Sequence, residues 1–323
     1  QSVAQIIDEM RDRGQHVLFY PFILMEQMPG NTLIDPHTGQ TGQPHLPWRG
    51  RITTSRALGV SGSPQNTAAA DAEVATFFGA AQPGDFTIQG DTVDYSGPAE
   101  WSYRRFILHY AHLCAAAGGV DAFCIGSEMR DLTTIRGANG GYPAVQQMIQ
   151  LAQEVSAILP GAQIGYAADW SEYHGHQPAG TGDKYFHLDP LWADPAIDFI
   201  GIDNYMPLSD WRDGDDHADV AWGSIYNHDY LRANVAGGEG YDWYYASDAD
   251  RSAQVRTPIT DADGEPWTWR VKDLAGWWSN PHHDRVNGVR AAQPSPWEPG
   301  SKPIWFTEYG CAAIDKGTNQ PNK

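Results

Sequence analysis

The chain has 323 residues, 41% of them hydrophobic and 19% charged, a balance that suits one large globular domain with a sizeable core. Its 21 Lys and Arg stand against 40 Asp and Glu, a formal net charge of -19, and such a surface repels nucleic-acid phosphates and anionic membranes, so a nucleic-acid partner is not expected. No stretch approaches the roughly 18 apolar residues of a membrane span, and no charged-then-apolar signal precedes the first helix.

The first element is a helix over about 2–14, with Val3, Ile6, Ile7 and Met10 at helical spacing. His16 to Leu24 follows as a continuous apolar run, the pattern of a parallel strand buried on both faces. Residues of about 25–97 break this βα rhythm with Gly, Pro, Asn and Asp clusters around one Ala-rich helix at 67–80, a long insertion of the kind that carries function or forms a lid. Alternation then resumes: helix 98–117 with Trp101, Phe106, Ile107, Tyr110 and Leu113, strand 121–127, helix 142–159, strand 163–168 and strand 197–203. Strands separated by helices predict βαβ units and a parallel sheet. A second insertion, about 206–300, carries eight of the thirteen tryptophans among Asp, Gly and Pro. A last apolar run, Pro303 to Phe306, ends on Thr307-Glu308-Tyr309-Gly310. No fixed-period repeat or linker divides the chain, so 1–323 reads as one domain. Its first residue falls inside a helix and few residues follow Glu308, so the reading is a fragment of a longer polypeptide, incomplete at its termini.

Two glutamates sit where apolar strands run out, Glu128 after Phe123-Cys124-Ile125-Gly126-Ser127 and Glu308 after Ile304-Trp305-Phe306-Thr307. In parallel α/β sheets the reactive side chains project from the carboxyl ends of strands. Two carboxylates there suit glycosidic-bond hydrolysis, which needs one protonated carboxyl to donate to the leaving oxygen and one anion to attack or to activate water. A separation of about 5–5.5 Å would predict retention of configuration. No cofactor or metal is required. Asp169-Trp170 and Asp203-Asn204-Tyr205 end the two intervening strands. Asp169 and Asp203 have two readings, as ligands of sugar hydroxyls or as caps of the following turn. Trp48, Trp170 and Trp305 are the tryptophans expected at a cleft, where an apolar ring face can stack on a sugar. Glu172 and Glu26 are weaker candidates for a catalytic carboxylate. His174, His176, His282 and His283 lack metal-ligand spacing and read as solvated loop residues. Cys114, Cys124 and Cys311 form no CxxC or Cys-His pattern and read as buried free thiols.

The segments Gly126-Ser127-Glu128, Ile200-Gly201-Ile202-Asp203-Asn204-Tyr205 and Trp305-Phe306-Thr307-Glu308-Tyr309-Gly310 resemble the fourth, sixth and seventh strand ends of the large clan of retaining (β/α)8 glycoside hydrolases. More closely, nearly the whole chain resembles the TIM-barrel-like domain of gene transfer agent and phage tail proteins, in particular the large tail-tip or host-specificity protein. Leu46-Pro47-Trp48-Arg49-Gly50-Arg51-Ile52-Thr53, Tyr166-Ala167-Ala168-Asp169-Trp170-Ser171-Glu172-Tyr173 and Thr307-Glu308-Tyr309-Gly310-Cys311 carry that closer likeness. The resemblance implies a (β/α)8 TIM barrel with long inserted loops, Glu128 as acid/base, Glu308 as nucleophile and Tyr205 as the residue that orients the nucleophile. It also implies a place in the tail of a phage-like particle assembled in the bacterial cytoplasm, a glycan as substrate or ligand, and tail-tip or baseplate proteins as partners. The acidic surface favours a neutral glycan. In the clan an Asn usually precedes the acid/base, and here that position is Ser127, shorter and with a single donor. A catalytically silent carbohydrate-binding or structural tail-hub module is the alternative reading, because a fold does not dictate a function.

Overall fold

The computed structural model describes residues 2–322. Helix α1 (Ser2–Asp12) buries Ala4 and Ile7 and leaves Ile6 exposed. Strand β1 is only Leu18–Phe19, paired in parallel with Ala122 and Phe123 of β4 (Ala122–Ser127). The long strand expected over His16 to Leu24 is therefore cut short, and Phe22 and Leu24 lie exposed. Among the described residues β1 has β4 as its one strand neighbour, and beyond Phe19 the chain leaves the ladder, although Tyr20 still packs against the core.

The first insertion holds helix α2 (Ala68–Phe78), started by the Thr67 side chain accepting from the Ala69 N–H, and an antiparallel hairpin, β2 (Phe86–Gln89) and β3 (Thr92–Tyr95). No strand is expected there from the sequence, because each arm of the hairpin is only four residues long. Helix α3 spans Tyr103–Ala116 behind the N-cap Ser102. Its expected start at 98 is thus too early, and Trp101 lies outside it rather than on its apolar face. The short helix α4 (Arg130–Thr133), helix α5 (Pro143–Ile158) with Pro at its first position, β5 (Gln163–Asp169), the short helix α6 (Asp189–Trp192) and β6 (Phe199–Asn204) continue the alternation.

One sheet runs in the order β1-β4-β5-β6-β11, the last strand being Ile304–Tyr309. All six residues of β4 are buried, as expected for a strand covered on both faces. Ala122, Cys124, Ala167 and Phe199 form one core cluster, with Tyr20 and Trp305 packed against it. The architecture is α/β with a TIM-barrel-like sheet, and the eight strands expected for a closed barrel are represented by five among the described residues.

The chain divides into two compact units: a first running to His176 with His187–Gly201 and Lys302–Trp305, and a second comprising Gln177–Phe186, Ile202–Ser301 and the chain from Phe306. The sheet core described above lies in the first. The second contains the whole tryptophan-rich insertion, built from short pieces: α7 (His228–Ala233), β7 (Trp243–Tyr244), α8 (Asp248–Ala253), β8 (Thr257–Pro258), α9 (Leu274–Ser279), β9 (Arg285–Val286) and β10 (Val289–Arg290). Its core is aromatic. The His282 ring stacks on Phe186 at 4.3 Å and on Trp297 at 5.6 Å, and Trp297 stacks on Trp277 at 5.4 Å. His282 and His283 are buried and bonded to the carbonyls of Trp277 and Ala291, and His174 is buried in the first unit, so these are not solvated loop histidines. Arg285, almost fully buried, faces Glu265, Asp261 and Asp263 at 2.7, 3.6 and 3.5 Å. Hydrogen bonding from Arg290 and Arg285 holds the Glu265 carboxyl down at about 2.

Cys114 and Cys124 are buried free thiols, but Cys311 is exposed, because it follows the last strand instead of packing beneath it. No helix among the described residues is long and apolar enough to cross a membrane.

Candidate functional site

In the first unit the carboxyl ends of β4 and β5 carry a connected polar cluster. The two strands lose register between Cys124 and Ser127, and such a bulge re-aims the side chains after it. Gly126 is required there: a Cβ at this position would lie 2.4 Å from the Tyr103 hydroxyl and 2.9 Å from Met129 Cε. The Tyr103 hydroxyl donates to the Ile125 carbonyl at 2.8 Å. Glu128 then adopts φ +47°, a left-handed conformation costly for a residue with a Cβ. Two backbone bonds hold the turn, from Glu128 N to the Ala167 carbonyl and from Met129 N to the Tyr166 hydroxyl, each 2.8 Å.

Glu128 is 7% exposed. Its Oε2 accepts from Trp48 Nε1 at 2.6 Å and pairs with Arg49 Nη2 at 2.9 Å. Arg49 also donates to Ser127, from Nη2 to Oγ at 2.7 Å and from Nε to Oγ and to the carbonyl at 3.1 and 3.2 Å. Ser127 Oγ is bonded to the Tyr20 hydroxyl at 2.7 Å. The Trp-Arg pair from the first insertion thus lies directly on the strand end. Arg49 is packed over Phe22 and Arg130 over Trp48. Arg49, Arg130 and Tyr20 were not singled out from the sequence. Only the Trp48-Arg49-Gly50 phrase within a long loop signals Arg49, and nothing local signals the other two.

Asp169 caps its own turn: its Oδ1 accepts from Ser171 N at 2.9 Å and from the Ser171 hydroxyl. Of its two readings the capping one is what the hydrogen bonds describe. Burial raises its pKa, against the pull of the Ser171 bonds and of Arg130 and Arg49. Trp170 beside it is half-buried, and its indole N–H has no hydrogen-bond partner among the described residues. Beneath the turn lies Glu172, whose Oε1 accepts from Thr133 Oγ1 at 2.7 Å and from the Tyr166 hydroxyl at 2.8 Å, and whose Oε2 accepts from Asp169 N at 3.2 Å. Burial pushes this carboxyl up to about 8. It therefore supports the turn through Tyr166 and Met129 and is closed off from solvent. Glu26 is exposed on the loop after β1.

In the second unit, Tyr205 OH donates to Glu308 Oε2 at 2.7 Å. Asp203, fully buried, accepts from Thr307 Oγ1 at 2.6 Å, and Asn204 Oδ1 accepts from Met206 N at 3.2 Å, so these two tie the strand ends and the following turn. Trp305 belongs to the first unit, where it stacks on Phe199 at 4.1 Å as part of the core layer.

Chemically, each half holds a carboxyl with directed donors. An indole N–H and a guanidinium address Glu128, and a phenol addresses Glu308. Hydrogen-bonded carboxyls of this kind can exchange protons or attack carbon according to their surroundings.

No curated protein matches the chain. A family model described as the GTA TIM-barrel-like domain matches residues 101–323, which takes in β4 to β11 and both glutamates, and the chain belongs to that family.

Proposed function

We propose that this chain is a retaining glycoside hydrolase-like domain of a gene transfer agent or phage tail protein, acting on a host cell-envelope or surface glycan. The observation that carries the reading is the 2.7 Å bond from Tyr205 to Glu308 Oε2, the contact expected of a residue that orients a nucleophilic carboxylate. In this mechanism Glu308 attacks the anomeric carbon while Glu128 gives its proton to the departing glycosidic oxygen. Glu128 then takes a proton from water, whose oxygen displaces Glu308 and restores both carboxyls. Neither step calls for a cofactor. Trp48 and Trp170 supply aromatic surface near the acid, and Ser127 replaces the usual Asn at the sugar 2-hydroxyl.

The Arg49–Glu128 ion pair favours a second reading. A general acid must carry a proton, whereas the guanidinium and the indole N–H both address Oε2 as partners suited to an anion. A module that binds glycan without cleaving it, serving the tail hub, accommodates that pairing. The particle tail, cytoplasmic assembly and tail-tip partners belong to both readings.

Hydrolysis of aryl glycosides and isolated envelope glycans by wild type, Glu128→Gln and Glu308→Gln decides between them. Turnover lost in both variants, with product of retained configuration, supports the hydrolase. Glycan binding with no turnover in any of the three proteins supports the silent module.

A further inference from the structure

A groove along α3 in the first unit, of about 630 Å³, contains none of the residues around Glu128. Asp94, Tyr95, Trp101, Arg105, His109 and Tyr110 line it. Trp101 stands just before the N-cap Ser102 and is 94% exposed, although so large an apolar ring ordinarily gains by burial. It is nevertheless fixed. The Arg105 guanidinium lies 4.2 Å from the centre of the Trp101 ring and 4.2 Å from that of Tyr95, and it donates to the Glu100 carbonyl. A cation held between two rings orients the indole before any ligand arrives, which lowers the ordering cost of binding.

The polar groups beside the ring fit one class of ligand. Asp94 presents an exposed carboxylate, and the half-buried His109 imidazole makes no hydrogen bond among the described residues. Burial, helped by the charge of Arg105, lowers the His109 pKa below 6.5, so the ring is neutral and offers one donor and one acceptor. A pyranose has an apolar C–H face to lie on an indole and hydroxyls that both donate and accept. A polyproline segment also fits aromatic grooves, but its carbonyls only accept and it has no internal N–H, so the Asp94 carboxylate finds no donor along it. The Tyr95 hydroxyl, a candidate donor to such a carbonyl, is already committed to the Pro98 carbonyl at 2.9 Å.

We propose that this groove is a second carbohydrate-binding site, taking a neutral oligosaccharide with one pyranose ring stacked on Trp101 and its hydroxyls bonded to His109 and Asp94. The site stands whether or not Glu128 and Glu308 turn a glycan over. It would hold a polysaccharide beside the domain.

The test uses the whole chain with β-1,4-linked hexasaccharides of glucose and of N-acetylglucosamine as probes, and decaproline as the competing ligand. Binding is read by calorimetry, and its location by hydrogen–deuterium exchange. The expected result is protection of segment 93–110 by at least one hexasaccharide. Trp101→Ala weakens that binding about tenfold or more, Trp101→Tyr retains most of it, His109→Ala weakens it several-fold, and Glu128→Gln leaves it unchanged. Because Trp101 is exposed, Trp101→Ala keeps the wild-type melting temperature. Failure of both hexasaccharides to protect the segment, undiminished affinity in Trp101→Ala, or protection by decaproline alone would each overturn the proposal. Loss of turnover in Glu128→Gln with binding at 93–110 intact separates this site from the fate of the hydrolase reading.

Discussion

Replacing Glu172 with Gln should flatten the dependence of stability on pH between about 4.5 and 8. The wild-type carboxyl is almost fully buried, and burial raises its pKa from 4.5 to about 8. The folded state therefore holds a proton that the unfolded state releases across that window. The stabilisation linked to that proton is complete below pH 4.5 and is lost as pH rises through 8. A full proton difference changes stability by about 1.4 kcal/mol per pH unit, so the window is worth roughly 5 kcal/mol at most. Gln is permanently neutral and keeps the Oε1 acceptor used by Thr133 and Tyr166. It puts an amide donor opposite Asp169 N in place of a 3.2 Å bond, at a cost of about 1 kcal/mol. The variant should be slightly less stable than wild type at pH 5 and more stable by a few kcal/mol at pH 8.5. Urea unfolding followed by tryptophan fluorescence at pH 5, 6.5 and 8.5 gives both curves. Parallel pH profiles would refute the reasoning, since they would mean that Glu172 is already ionised in the folded protein.

Arg49→Met should destabilise by about 3 kcal/mol, because it removes the guanidinium that Glu128 and Ser127 share, and chemical denaturation reads the loss directly. Tyr205→Phe removes the hydroxyl at Glu308 and, under the hydrolase reading, lowers kcat about 100-fold with little change in KM; an unchanged kcat would take Tyr205 out of the mechanism. Arg104→Met strands Glu154, now 2.6 Å from the buried Arg104 guanidinium, and should cost about 3–5 kcal/mol in the same unfolding assay. A chromogenic thiol reagent should titrate Cys311 alone in the native protein and all three cysteines in denaturant, since Cys114 and Cys124 are buried and burial pushes the Cys114 thiol up to about 12.

Much of the βα framework was legible because its signal is local. Strands such as β4 (Ala122–Ser127) and β6 (Phe199–Asn204) carry apolar runs that fill both faces, and the helices between them repeat apolar residues at helical spacing. Glu128 follows from the same pattern, because a charged residue directly after the buried β4 has one place to project, whereas Glu308 is the next-to-last residue of the half-buried β11. Boundaries were less legible wherever burial depends on a neighbour. His16 to Leu24 has the composition of a core strand, yet only Leu18–Phe19 pair, since strand length is set by the partner alongside. The sequence places Trp101 on the apolar face of a helix and Trp305 at a cleft, while packing makes the first an exposed ring held by Arg105 and the second a core ring stacked on Phe199.

By itself the sequence determined the alternation of strands and helices, the acidic surface and the strand-end positions of Glu128 and Glu308, since each depends on residue type and short-range order along the chain. Tertiary structure alone decided that Trp48 and Arg49, some 80 residues from Glu128, supply its donors, that Tyr166 and Glu172 brace the strained turn beneath it, and that the His282 ring belongs to an aromatic core. Those outcomes depend on which distant groups share a buried space, where an unpaired charge or N–H is costly, and no local pattern in the chain encodes that.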